Sequence, residues 1–161
     1  MAVRKRTTKK TSATTRPGRV TGGGSGERTV QLLKLPDAVY WSIVMWSENR
    51  STSQRRVTIG EIYDEALAWF LEREAKSGYD AYRAVPIRDA KIRSLWIDSR
   101  LIARANVYAE RDGVPRNRVL FTALVLYLRH LGPSPTPEDI TRLKKIKAQG
   151  GKQGRPITLS D

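Results

Sequence analysis

The chain contains no cysteine. That absence excludes disulfides, thiolate metal sites and cysteine nucleophiles. A single histidine, His130, leaves almost no material for an imidazole metal site or a Ser-His relay. No apolar run approaches the roughly 20 residues a membrane-spanning helix needs. The N-terminal segment is basic but lacks the apolar stretch of a secretory signal. A soluble, cytoplasmic protein is expected by elimination, with no cofactor and no metal. Adjacent acids such as Asp64 and Glu65 fall on a solvated helix face, and His130 ends a helix with no evident partner, so an enzyme is not expected.

Acidic charge is also scarce. The 161 residues carry 30 Lys and Arg against 16 Asp and Glu, a net charge of +14. The excess is uneven. Residues 1–27 hold seven basic groups and one acid, and residues 132–161 hold six and three. Residues 28–76 hold seven of each, whereas residues 88–131 hold nine basic groups and four acids. A pI near 10.5 is the electrostatic footprint of a protein that binds a polyanion.

Residues 1–27 are rich in Thr, Gly, Lys and Arg, with only Val3 and Val20 as sizeable aliphatics. Such a segment cannot bury enough apolar surface to offset chain entropy, and disorder is expected there. From Val30 onward one pattern occurs twice. A strand at about Thr29–Leu35 leads through Pro36-Asp37 into a helix ending near Glu48. A polar loop follows (Asn49 to Arg56), then a second helix for which Thr58 and Glu61 form a capping box. The second copy has a strand at about Lys91–Ile97, a helix capped by Asp98 or Ser99 and ending near Arg111, and a last helix that starts at Pro115 and reaches about His130. The domain reading is a disordered basic tail (1–27), unit 1 (28–76), a linker (77–90), unit 2 (91–131) and a basic C-terminal tail with a short helix (132–161). Leu33, Leu35, Val39, Ile43 and Trp46 map onto Leu95, Ile97, Leu101, Ala105 and Tyr108 at an offset of 62. Ile62, Ala66, Leu67, Phe70 and Leu71 map onto Val119, Ala123, Leu124, Tyr127 and Leu128 at an offset of 57.

Strand, helix, polar turn and helix, with Leu33-Lys34-Leu35-Pro36 at the first junction and Gly60-Glu61-Ile62-Tyr63 early in the second helix, resemble the ribbon-helix-helix family of the Met and Arc repressors. The tandem arrangement is similar to the single-chain form of that family that serves at T-DNA borders in Agrobacterium. The resemblance implies a mainly α fold with a two-stranded antiparallel β-ribbon, two ribbon-helix-helix units in one chain forming an intramolecular pseudo-dimer. It implies double-stranded DNA as partner, with the ribbon in the major groove. Two roles follow from it: an accessory factor in plasmid or T-DNA transfer, or a transcriptional repressor, antitoxin and partition regulators included. A basic RNA- or ribosome-binding protein or a scaffold is the reading of another class.

Side chains alternate along a strand, so one parity faces the helices and the other faces outward. Leu33, Leu35, Leu95 and Ile97 best fit the buried parity. The outward set is then Val30, Leu32 and Lys34 with Ile92, Ser94 and Trp96. Lys34 can donate to guanine, Ser94 can donate or accept, and Leu32 and Trp96 can meet thymine methyls, pack on sugar edges or cover a partner surface. The alternative is a twist that turns Gln31, Lys91 and Arg93 to the DNA. By the resemblance, the starts of the second helices address phosphates: Thr58 and Ile59 in unit 1, and Arg116 and Asn117 in unit 2, where Pro115 cannot donate. Arg55, Arg56, Arg116 and Arg118 lie beside these starts. Lys144, Lys145 and Lys147 have DNA, a partner protein or solvent as possible neighbours. The first helix of unit 1 is apolar almost all round, so Tyr40, Trp41, Val44 and Met45 are expected to meet something further. The candidates are the C-terminal helix, the linker around Tyr79 and Tyr82, or a neighbouring copy of the chain in side-by-side self-association on DNA.

Overall fold

The computed structural model describes residues 26–76 and 78–150, which are mainly helical with one two-stranded antiparallel sheet. β1 is Arg28–Pro36, followed by α1 (Asp37–Arg50) and α2 (Ile59–Arg73). β2 is Ala90–Asp98, followed by α3 (Ser99–Arg111), α4 (Arg116–Leu131) and α5 (Pro137–Gly150). The disorder expected of residues 1–27 falls outside the described residues except at Gly26 and Glu27, as does the chain beyond residue 150.

Local signals set the element boundaries. Pro36 lacks an amide hydrogen, so it ends the strand ladder and precedes the first turn of α1 at no hydrogen-bonding cost. Thr58 caps α2 through a complete capping box with Glu61. The Asp98 carboxylate accepts from the Arg100 amide at 2.8 Å and starts α3. Gly113, at φ 64°, takes the left-handed conformation that closes that helix.

The strands pair in a register that sets Val30 opposite Trp96, Leu32 opposite Ser94 and Lys34 opposite Ile92. Among the described residues each has one strand neighbour, and the alternation of its side chains decides which face is covered. Leu33, Leu35, Leu95 and Ile97 are buried against the helices. They join a core in which Ile62, Ala66 and Phe70 of α2 meet Val119, Ala123 and Leu124 of α4, with Ile43 of α1 and Ala105 of α3 beside them.

Two segments outside the repeated units pack against them. Tyr79 and Tyr82 of the segment before β2 set their rings edge-on to Phe70, with centroids 5.1 and 6.1 Å away. The Tyr82 hydroxyl donates to Asp112 at 2.6 Å, and the Arg83 amide donates to the buried Thr122 hydroxyl at 2.8 Å. Together with Arg111, that phenol holds the Asp112 carboxyl down at about 2. The second segment is the C-terminal helix expected within residues 132–161. α5 is 14 residues long, capped by Thr136 and Asp139, and docked on α1. Leu143 is buried with Tyr40, Trp41 and Val44, and Met45 and Ile140 pack around them. Of the three candidates for the neighbour of Tyr40, Trp41, Val44 and Met45, the C-terminal helix is the one that packs on them among the described residues, in place of a second copy of the chain.

Neighbouring leucines of β1 separate packing from surface. Leu33→Ala removes a side chain that is 1 % exposed and should cost about 2–5 kcal/mol in denaturant unfolding. Leu32→Ala, at 61 % exposed, should change stability by no more than about 0.5 kcal/mol.

Candidate nucleic-acid interface

The uncovered face of the ribbon presents three cross-strand pairs in a row: Val30–Trp96, Leu32–Ser94 and Lys34–Ile92. All six residues are exposed, and Trp96, the largest, is 56 % exposed. Leaving four large apolar side chains in water on one narrow face forgoes burial worth about 1.5–3 kcal/mol for each. Such a row of exposed apolar side chains is a candidate contact surface.

The alternative twist does not occur. Gln31, Lys91 and Arg93 share the parity of the core side chains. Gln31 is buried. Arg93 lies with its guanidinium carbon 3.9 Å from the centre of the Tyr40 ring and pairs through a guanidinium nitrogen with Asp37 at 3.5 Å, and Lys91 pairs with Asp37 at 3.2 Å. These three residues line the flank of the ribbon rather than its open face.

The first turn of α2 lies against β2. A side chain on Gly60 would place its Cβ 3.0 Å from the Trp96 carbonyl oxygen and 2.7 Å from the Arg28 guanidinium, so glycine permits this approach. Arg28 spans the junction, donating to the Trp96 carbonyl at 3.0 Å and to Asp64 at 2.5 Å. Asp64 also accepts from the Asp98 amide at 2.9 Å. Burial pushes the Asp64 carboxyl up, against the pull of that amide and of Arg28. This Arg28–Asp64–Asp98 junction was not anticipated. The only signal for it in the sequence is the pair of opposite charges Arg28 and Asp64, whose separation gives no hint of contact.

The two helix starts differ. At α2, Glu61 occupies the position an external anion would take. Its carboxylate accepts from the Thr58 amide at 2.6 Å and from Arg55 at 3.1 Å. The Thr58 amide bond, with help from Arg55, holds this carboxyl below its usual range. A depressed carboxylate stabilises the fold above the unfolded value near 4.5, and this contribution disappears as pH falls through the lower folded value. At α4, Pro115 offers no side-chain cap. The Arg118 amide turns back to the Pro115 carbonyl at 2.9 Å, and the Arg116 and Asn117 amides receive no side-chain partner among the described residues. Arg118 stands where Glu61 stands in the first copy, by the offset of 57. The four arginines expected beside these starts divide. Arg55 is bound to Glu61, and Arg116 turns toward Asn106 of α3 at 3.5 Å. Arg56 and Arg118 are exposed and form no ion pair among the described residues. Thr58 is exposed but committed to the capping box, and Ile59 packs inward against both core clusters.

His130 stacks on Trp69, with ring centres 5.2 Å apart. No family model, curated protein or solved structure matches this chain.

Glu61→Gln removes a negative charge from the start of α2 while keeping a side chain that can bond the Thr58 amide. The variant should flatten the loss of stability below pH 4.5, read as unfolding midpoint against pH. Anion affinity at this end should rise about two- to fivefold, the worth of roughly 0.3–1 kcal/mol of helix-terminal charge.

Proposed function

We propose that this chain is a double-stranded DNA-binding protein of the ribbon-helix-helix type. In this reading its two β-α-α units form an intramolecular pseudo-dimer that sets the β1–β2 ribbon into the major groove. One observation carries the reading: an exposed, regularly alternating ribbon face, bordered by helix starts and set in a chain of net charge +14. A two-stranded ribbon fits a major groove about 12 Å wide, where each base pair offers a distinct pattern of donors, acceptors and methyl groups. Linking both units in one chain makes their pairing intramolecular, at an effective concentration in the millimolar range. The protein would then act as one unit at dilutions that dissociate a homodimer.

The tandem form favours an accessory role in plasmid or T-DNA transfer, at a border or origin, over repression of a promoter. A homodimeric ribbon repeats one set of side chains and reads a palindrome. Here the offset of 62 equates Val30 with Ile92, Leu32 with Ser94 and Lys34 with Trp96. With the observed register, the axis relating the units passes through the Leu32–Ser94 pair. Val30 and Ile92 are alike, so the divergence is concentrated in Lys34 at one end and Trp96 at the other. Lys34 donates to guanine N7 and O6. Trp96 offers only an apolar plate and an indole N–H. Such a site has a direction.

Nuclease footprinting over the DNA that neighbours the coding region, at two salt concentrations, tests the reading. A discrete footprint that weakens with salt at a transfer border or origin is expected. A footprint confined to a promoter would favour repression, and no duplex binding would sink the proposal. Lys34→Ala should lose about 1–3 kcal/mol and relax base preference in one half-site only. Trp96→Ala should weaken the other half-site. A perfect palindrome built from either half should bind less tightly than the native asymmetric site.

A further inference from the structure

We infer that α5 is a DNA-contacting arm, adding to the phosphate-binding charge of unit 1, which of the arginines beside the start of its second helix keeps only Arg56 unpaired among the described residues. The inference rests on the DNA-binding reading and concerns which part of the chain meets the backbone beside β2.

Unit 1 is electrically balanced, with seven basic and seven acidic groups in residues 28–76. Its natural anion site, the start of α2, is filled by Glu61, which also ties up Arg55. Unit 2 has neither handicap. A DNA backbone passing both helix starts would meet Arg118 at one, and at the other a carboxylate with Arg56 beside it. Unit 1 therefore gains from cations supplied from elsewhere.

α5 docks beside that deficit. Its apolar side packs on Tyr40, Trp41 and Val44 of α1, and Ile59, the first residue of α2, joins the same cluster. Lys147 bonds the Tyr40 hydroxyl, and its ammonium lies 4.6 Å from the Tyr40 ring centre. Arg93 of β2 lies on the same ring at 3.9 Å, so the basic end of α5 reaches the flank of the ribbon. Lys144 stands 5.8 Å from the Trp41 ring centre. The charges of α5 are sorted along its length. Glu138 and Asp139 occupy the first turn, and Arg142, Lys144, Lys145 and Lys147 follow, all four exposed. The helix dipole favours cations only in the last turn, which accounts for Lys147 but not for Arg142, Lys144 and Lys145.

The resulting cluster is short of anions. Lys91, Arg93, Lys144 and Lys147 gather around α1, and the one acid paired with any of them among the described residues is Asp37. Like charges gathered this way repel unless an anion joins them. A phosphate chain running along the β2 flank is an anion of the right charge and repeat, and each contact on it releases counterions.

The test is made in the full chain with Lys144→Gln, Lys145→Gln and Lys147→Gln combined. Binding to the footprinted duplex is measured across salt concentrations, with hydroxyl-radical protection mapped on both strands. The slope of log affinity against log salt should fall in magnitude by about two to three, at roughly 0.9 per phosphate lost. Protection should disappear on the flank beside β2 alone. Arg73→Gln with Lys76→Gln, at the far end of α2, should leave slope and protection unchanged. Leu143→Ser undocks α5 without altering its charge and should also lose the local protection. An unchanged slope and footprint in the triple variant would overturn the inference. So would equal loss on both flanks, which marks diffuse attraction rather than a placed arm. Absence of wild-type duplex binding would instead overturn the DNA reading and this inference together.

Discussion

Neither strand of this protein can stand alone, and the rest of the structure follows from how each is satisfied. A single strand exposes two rows of backbone donors and acceptors, and a two-stranded ribbon without a covered face is marginal in water. β1 and β2 lie more than 50 residues apart, yet among the described residues each is the other's only strand neighbour. Their shared inner face, built from Leu33, Leu35, Leu95 and Ile97, needs a roof. α2 and α4 provide it, and α1 and α3 carry the chain from ribbon to roof. The open face is left over by the same geometry: a two-layer arrangement of ribbon and helices covers one side of the sheet only. Its exposed Val30, Leu32, Ile92 and Trp96 are therefore not packing faults. In the proposed reading they are the surface that meets DNA.

How much of this was legible in the sequence depended on how far each determinant reaches. Strand parity could be read from the alternation at 30–35 and 92–97, because burial of one face forces a period of two. The α2 capping box could be read because Thr58 and Glu61 are three residues apart. The repeat fixed the order of elements, since the same junction residues recur. What could not be read was contact between distant segments. The all-round apolar character of α1 announced a further neighbour but not its identity, because a helix, a linker and a second molecule all present similar apolar faces. Arg116 was expected to project from the start of α4. It turns toward Asn106 because α3 and α4 cross there, a fact no spacing rule contains. The linker tyrosines gave no sign that they would lock on Phe70 and Asp112.

The linker contacts change the character of the tether between the units. A flexible segment would set only an average concentration of one unit near the other. Here Tyr79, Tyr82 and Arg83 are fastened to α2, to Asp112 just beyond α3, and to α4. Ordering those residues has a conformational-entropy cost, offset by aromatic burial and two long-range hydrogen bonds. In return the start of β2 is delivered at a fixed place. Register then depends on more than the alternation of β2 itself. That matters in a strand whose outer face carries Ile92 and Trp96, because a one-residue slip would exchange them with Leu95 and Ile97 at little change in hydrophobicity.

Joining two units in one polypeptide also releases them from identity. In a homodimer, any residue that improves one end of the ribbon is imposed on the other. Here Lys34 and Trp96, and likewise Glu61 and Arg118, occupy equivalent positions with opposite chemistry. Glu61 makes the start of α2 self-sufficient: its capping box is complete without an external anion. Arg118 leaves α4 with an open start. A single position cannot serve both ends well, since a carboxylate that completes a cap repels the phosphate the same cap would bind. In the proposed DNA-binding reading, two diverged copies resolve the conflict by division, one helix start secured from within and the other left for phosphate. On the same reading the balanced charge of unit 1 is a consequence of its structural duty, and the cations gathered on α5 compensate for it from outside the repeat.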